Sequence, residues 1–274
     1  MINGWKRWHY DVFRGVLGAY LAVHFAHLLP WGPEVFSNQG MVPEAAASPF
    51  FPFFPNVLFL WDDPVAIHLL LGSGVALAVA LAFGFRDRAA AILLWYVWAC
   101  LFTRNPLISN PGLPFIGWIL IAHCFVPRRT DPDWCMPSQI YLAAWVVMAV
   151  GYSYSGVTKL ASPSWVDGTA LVHVLGNPLA RPTLLRETLL ALPSWLVAAG
   201  TWGALAAELG FAPLALFRRL RPWLWTALLG MHFGLMVLID FVDLSAGMVM
   251  LHLFTFDPAW IDGRTGRAGL GGSD

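Results

Sequence analysis

Lysine is nearly missing from this chain: among 274 residues there are two, Lys6 and Lys159. Charge of either sign is scarce at 12%, against roughly 25% in a soluble domain, which excludes an ordinary water-soluble fold. The formal net charge is zero, so nothing argues for a nucleic-acid partner. The three cysteines, Cys100, Cys124 and Cys135, sit in or beside apolar segments with no CxxC pair. Neither a disulfide framework nor a zinc site is expected from them. His24, His27, His68, His123 and His173 are scattered without an HExxH or similar ligand motif, and no metal is expected. What is present is apolar: 58% hydrophobic residues, with 15 Trp and 19 Phe. That composition belongs to a polytopic membrane protein.

A spanning helix needs roughly 20 predominantly apolar residues. Eight segments meet or approach this: 10–29, 64–85, 89–104, 113–127, 139–158, 191–217, 222–240 and 244–258. The third, fourth and eighth are short, so seven spans with a re-entrant piece is the alternative. The first, with Lys6 and Arg7 ahead of it, is read as a retained span rather than a cleaved leader. It is long enough to cross, Arg14 interrupts it, and Ala45–Ala47 lie too far downstream for cleavage. Basic residues mark alternate connections: Lys6 and Arg7; Arg86 and Arg88; Arg128 and Arg129; Arg218, Arg219 and Arg221; Arg264 and Arg267. The opposite connections hold Glu34, Glu44, Asp62, Asp63, Asp167, Asp240 and Asp243. The positive-inside rule then makes both termini cytoplasmic and puts Arg104, Lys159 and Asp240 at the outer side.

The expected fold class is therefore all-α, a polytopic transmembrane helical bundle of about eight spans. One domain covers 1–262, followed by a disordered, glycine-rich tail at 263–274. The connection 30–63 is expected as the longest non-helical stretch between spans. Pro30, Pro33, Pro43, Pro49, Pro52 and Pro55 alternate there with Phe50, Phe51, Phe53, Phe54, Phe59 and Trp61. Proline at that density breaks helix, and the aromatics suit a headgroup interface. It is either a lid over the outer mouth or a membrane-surface loop with no gating role.

Charged groups near hydrocarbon narrow the search further. Lys159 ends the apolar run Tyr141–Val157, where an ammonium costs about 2.5–3.5 kcal/mol on insertion scales. It either snorkels to the headgroups or, desolvated beside Tyr152, Ser153, Tyr154, Ser155 and Thr158, works as a general base. His232 and Asp240, eight residues apart, fall roughly on one helix face. His232 is either a site residue or a hydrogen-bond link to a neighbouring helix. Glu208 lies well inside the sixth span, where it is either structural glue paired with Arg14 or a histidine, the favoured reading, or a catalytic carboxylate. Arg104, Asn105 and Asn110 are expected to bring donors to the outer face near Lys159, suited to an oxyanion, a carbonyl or a lipid phosphate. Turn chemistry alone accounts for the Asn-Pro pairs.

Five motifs occur in order: Phe36-Ser-Asn-Gln-Gly-Met-Val-Pro43; Arg104-Asn-Pro106 with Asn110; Tyr154-Ser-Gly-Val-Thr-Lys159-Leu with Trp165 and Gly168; Glu208-Leu-Gly-Phe-Ala-Pro213; and Met231-His232. Together, over roughly residues 5–260, they resemble the HTTM family, the membrane domain of vitamin K-dependent gamma-carboxylase and its bacterial relatives. The resemblance implies an integral protein of a bacterial inner membrane with its site facing the periplasm or lumen. It implies a reduced quinone, vitamin K hydroquinone-like, deprotonated by Lys159. Molecular oxygen then adds, and a carbanion of a peptide glutamate takes up carbon dioxide. Lys159 and His232 would be catalytic, and Arg104, Asn105, Asn110, Tyr154 and Trp165 would contact substrate, with Arg14 and Glu208 structural. The implied partners are the lipid-soluble quinol, membrane lipid and a secreted peptide. Between Thr103 and Ile121 there is no counterpart of the carboxylase's loop histidine, so the quinol-deprotonating half transfers better than the carboxylating half. Two other readings stay open. One is an accessory protein for maturation or export of a secreted peptide. The other is a subunit passing electrons from quinol, which the lack of a CxxCH motif disfavours.

Overall fold

The structure, a computed structural model, describes residues 3–128, 130–131 and 133–261. The expected tail at 263–274, with Arg264 and Arg267, lies outside the described residues, as does Arg129. The stretch 1–262, expected as one domain, divides by its contacts into two compact units.

The first, Trp5–Pro137, contains α1 (Arg7–Leu28), α2 (Gly32–Phe36), α3 (Pro64–Phe83), α4 (Asp87–Arg104) and α5 (Leu113–His123). Here α1 packs on α3, α3 on α4 and α4 on α5, burying Leu17, Leu21, Phe25, Ile67, Leu71, Leu94 and Ile116. The second holds α6 (Ser138–Lys159), α7 (Pro163–Val166), α8 (Ala170–Leu175), α9 (Leu184–Leu190), α10 (Ser194–Ala215), α11 (Arg221–Leu238) and α12 (Asp243–Thr255). There α10 packs on α6, and α11 and α6 on α12, around Tyr141, Met148, Phe211, Leu251 and Phe254. Among the described residues the fold is all-helical, apart from an isolated antiparallel bridge between Ala180 and Ile239.

Local chemistry explains the helix ends. Asp63 caps α3 by accepting from the amides of Val65 and Ala66, and Pro64 fills the first helical position, where a missing N–H costs nothing. The helix stops at Gly84, which is left-handed at φ 73°. Each of the eight predicted segments contains a helix. Three of these, α3, α6 and α10, are long and apolar enough to cross a membrane, with mean hydropathy 2.2, 1.4 and 1.2. Their most apolar stretches are only 33%, 33% and 28% buried, so each shows an apolar outer face as well as an apolar inner one.

Two predicted segments fall short. In 113–127, α5 ends at His123, and Cys124, Phe125 and Val126 close three-residue turns ahead of Pro127, which disfavours helix in the residue before it. Its 11 residues rise about 16 Å, half a hydrocarbon core. In 244–258, α12 stops at Thr255 before Pro258.

The connection 30–63 departs from the non-helical expectation, because Pro33 sits where a helix tolerates it, in the first turn of α2. Two 3-10 turns, Ala45–Ala47 and Val57–Phe59, follow. The loop is tied to the end of α4. The Asn56 amide donates to the Cys100 carbonyl at 2.7 Å and to the Thr103 hydroxyl at 2.9 Å, and the Ser48 hydroxyl donates to the Thr103 carbonyl. Phe36 and Leu58 are buried beneath it, while Phe50, Phe51 and Phe53 face outward.

Candidate functional site

Lys159 is the last residue of α6, and its ammonium lies 2.5 Å from both carboxylate oxygens of Glu208 on α10. The same Nζ stands 4.4 Å from the ring centre of Trp165 on α7, a cation–π contact. The Glu208 side chain is 4% exposed and that of Lys159 23%, so the acid is sealed in protein while the base reaches the surface. This corrects the expected partner of Glu208, which is neither Arg14 nor a histidine. Arg14 belongs to the first unit, where it faces Asp11 at 3.3 Å and Asp87 at 3.6 Å.

Two sequence features bring the pair together. A Cβ at Gly156 would stand 2.7 Å from the Leu209 amide nitrogen and 3.1 Å from the Glu208 carbonyl carbon, so glycine lets α6 and α10 meet backbone to backbone. Three residues after Gly156 comes Lys159. On the other helix, Pro213 has no N–H to offer the Leu209 carbonyl, which loosens the turn that carries Glu208. Ser153 of α6 fills the break. Its hydroxyl lies 3.3 Å from the Glu208 carbonyl and 3.5 Å from that of Leu209, and accepts from the Ala212 amide at 3.1 Å.

One face of α6 carries a second polar cluster. Tyr152, two helical turns before Lys159, is buried with its hydroxyl 2.9 Å from Nε2 of His232 on α11 and 3.3 Å from Nε2 of His252 on α12. His232 Nδ1 lies 3.1 Å from the Ser245 hydroxyl, and His252 Nδ1 lies 2.9 Å from the Met248 carbonyl. The carbonyl has no proton, so His252 Nδ1–H must donate to it. With neutral imidazoles the rest follows: Tyr152 donates to His252 Nε2, His232 Nε2–H donates to Tyr152, and Ser245 donates to His232 Nδ1. Removing the phenol strands buried nitrogens at both ends. Tyr152→Phe is expected to cost about 1–3 kcal/mol, read as a loss of unfolding free energy in detergent. A change under about 0.5 kcal/mol would show that the imidazoles find other partners.

The remaining expected site residues separate. Trp165 joins Lys159. Tyr154 is 69% exposed and turns away from the helix face that carries Lys159 and Tyr152. Asp240 does not share a helix face with His232, because α11 ends at Leu238 and Ile239 is extended. The Asp240 carboxylate instead accepts from Arg181 at 2.8 Å. Asp167, in the turn after α7, accepts from the Thr169 hydroxyl and amide, which hold its exposed carboxyl below the usual carboxylate range.

Arg104, Asn105 and Asn110 belong to the first unit. Arg104 is fully buried and donates from Nη2 to Asp62 at 2.8 Å, with Nε and Nη1 left without partners. Asn105 donates to the Val35 carbonyl at 2.7 Å and accepts from the Leu107 amide. Asn110 accepts from the Gly112 amide at 2.9 Å, ordinary turn chemistry. Asn105 thus ties its turn to α2, and Asn110 serves its own turn. Sequence reasoning passed over Tyr152, His252, Ser245 and Gly156 as site residues. For Tyr152 the seven-residue spacing to Lys159, two turns of one helix face, was the available sign.

Over 214 residues the chain is 26% identical to the uncharacterized protein YitO of Bacillus subtilis (strain 168), an alignment covering 67% of this chain and 66% of that protein. The chain thus spans just under two thirds of that relative's length. No family model matches the chain, and no solved structure matches it.

Proposed function

We propose that the chain is an integral membrane enzyme similar to the membrane domain of vitamin K-dependent gamma-carboxylase, in which Lys159 takes a proton from a lipid-soluble hydroquinone. The observation that supports this is the graded burial of the Lys159–Glu208 pair, with the carboxylate sealed and the amine able to meet a ligand. A base must first shed its own proton. Glu208, 2.5 Å away, is the acceptor at hand. Moving one proton across that gap turns the ion pair into a neutral amine and a neutral acid. The neutral amine can then accept a phenolic proton. The deprotonated quinol would supply the reducing power for reaction with molecular oxygen, with carbon dioxide consumed where carboxylation of a peptide follows. Trp165 gives a flat apolar wall beside the amine, and His232, held by Tyr152, steadies the helix face that carries it.

In this reading α1, α3, α4, α5, α6, α10, α11 and α12 cross a bacterial inner membrane with both termini cytoplasmic. Lipid covers the outer apolar faces of α3, α6 and α10, and local thinning accommodates the short α5 and α12. The site then opens to the periplasmic side. A second reading is supported by the same pair: the Lys159 charge is already neutralised, as structural glue would require, in an accessory protein for maturation or export of a secreted peptide.

Turnover of reduced quinol by the purified protein in nanodiscs, with oxygen, separates the two. Wild type should form epoxide or quinone, and Lys159→Ala should lose at least about a hundredfold, the usual contribution of a general base. Lys159→Arg should be equally inactive, because a guanidinium keeps its proton. Full activity in Lys159→Arg would remove the base role. Folded wild type that consumes no quinol above background would favour the accessory protein.

A further inference from the structure

In the first unit, the start of α1, the turn from α3 into α4 and the end of α5 come together at one end of the helices and enclose a cavity of about 460 Å³. Five arginines line it, Arg7, Arg14, Arg86, Arg88 and Arg128, against two carboxylates, Asp11 and Asp87. The positive-inside pattern accounts for basic residues at this end but not for where Arg14 is. That guanidinium is carried seven residues into α1 and is only 4% exposed. Gly84 makes its place, since a Cβ there would overlap the guanidinium, 1.9 Å from Nη1. Its two carboxylate neighbours stand at 3.3 and 3.6 Å, and its Nε has no partner. His123, also buried, lines the same cavity. Its Nδ1 meets the Tyr10 hydroxyl at 2.6 Å, and its Nε2, 3.6 Å from Asp87, lacks a hydrogen bond. Arg88 is anchored by its bond to the Val126 carbonyl, whereas Arg86 and Arg128 sit exposed on the rim. A cavity with excess arginine charge, a buried guanidinium on its floor and an unused Arg14 N–H is built for an oxyanion with several acceptor oxygens.

We propose that this cavity binds a phosphate group, presented either by an anionic lipid headgroup or as free phosphate. Arg14 and His123 form its floor and Arg86 and Arg128 its rim. The site is independent of the quinol chemistry, and its test reads binding alone. Inorganic phosphate is titrated into the whole protein in nanodiscs of neutral phosphatidylcholine, with heat of binding and thermal midpoint recorded. The titration is repeated in nanodiscs containing phosphatidylglycerol. Saturable binding in the neutral lipid identifies free phosphate as the ligand. A higher midpoint in phosphatidylglycerol, with phosphate failing to saturate, identifies the headgroup.

Because Arg14→Gln threatens folding, the deciding variants are Arg86→Gln and Arg128→Gln, whose side chains are exposed. Each should weaken the response about tenfold, the loss expected for one charge-assisted contact. No response to phosphate or to phosphatidylglycerol would overturn the proposal. So would a response that both variants leave unchanged.

Discussion

Lys159→Ala should lower the unfolding free energy by about 3–5 kcal/mol at neutral pH, the cost of stripping a buried carboxylate of its counter-charge. The two halves of the pair are unequal, and that makes the expectation specific. Glu208 is sealed at 4% exposure, so it has no water to turn to when the amine goes. Lys159 retains 23% exposure and the face of Trp165, so Glu208→Ala should cost distinctly less. Replacing both, as Lys159→Met with Glu208→Leu, should recover most of the loss, because an apolar pair of similar volume carries no desolvation penalty. Denaturant unfolding in one detergent reads all four proteins. Equal losses from the two single alanine variants would mean that the carboxylate is not sealed in solution. A double variant no better than Lys159→Ala would mean that the pair's hydrogen bonds, rather than its charges, hold α6 to α10.

The second large effect lies in the other unit. Arg104→Ala should cost toward the lower end of about 3–5 kcal/mol, because it leaves Asp62 without its counter-charge and opens a space under the 30–63 loop. The lower end is set by Asp62, which keeps 17% exposure and so some hydration. Loss of the anchor should also show locally. The loop would become cleavable by protease between Pro43 and Asp62 under conditions in which the helices stay protected. Arg104→Lys should rescue little, since one ammonium cannot reproduce the reach of a planar guanidinium. Wild-type proteolysis of Arg104→Ala would show that Asn56, Ser48 and Asn105 suffice to hold the loop.

The helices could be read from sequence because runs of apolar residues the length of a bilayer leave few alternatives. Where the reading failed, the deciding interaction was distant. Lys159 stood out as an isolated charge, yet its partner is 49 residues away and is selected by packing at Gly156, whose role depends on what faces it. Arg104 was equally conspicuous. Its target, Asp62, sits 42 residues earlier in a proline-rich loop with no periodicity to fix its path. Tyr152 shares a helix face with Lys159, but the histidines that meet it come 80 and 100 residues later. The predicted span 191–217 ran through Pro213 without a break, and the serine that fills the gap there comes from a different helix.

The polar file from Ser245 through His232, Tyr152 and His252 ends on the Met248 carbonyl, and that ending limits what the file can do. A conducting wire needs an exit, and a carbonyl oxygen can pass no proton onward. With its last member unable to donate, the whole file is locked in one sense, like a row of arrows pinned by the final one. Its consequence is mechanical. A slip of one residue along α6 would swing the Tyr152 hydroxyl away from both imidazoles, so this phenol, with the bonds from Tyr141 to the Thr255 carbonyl and from Trp225 to the His252 carbonyl, helps to hold α6, α11 and α12 in one register.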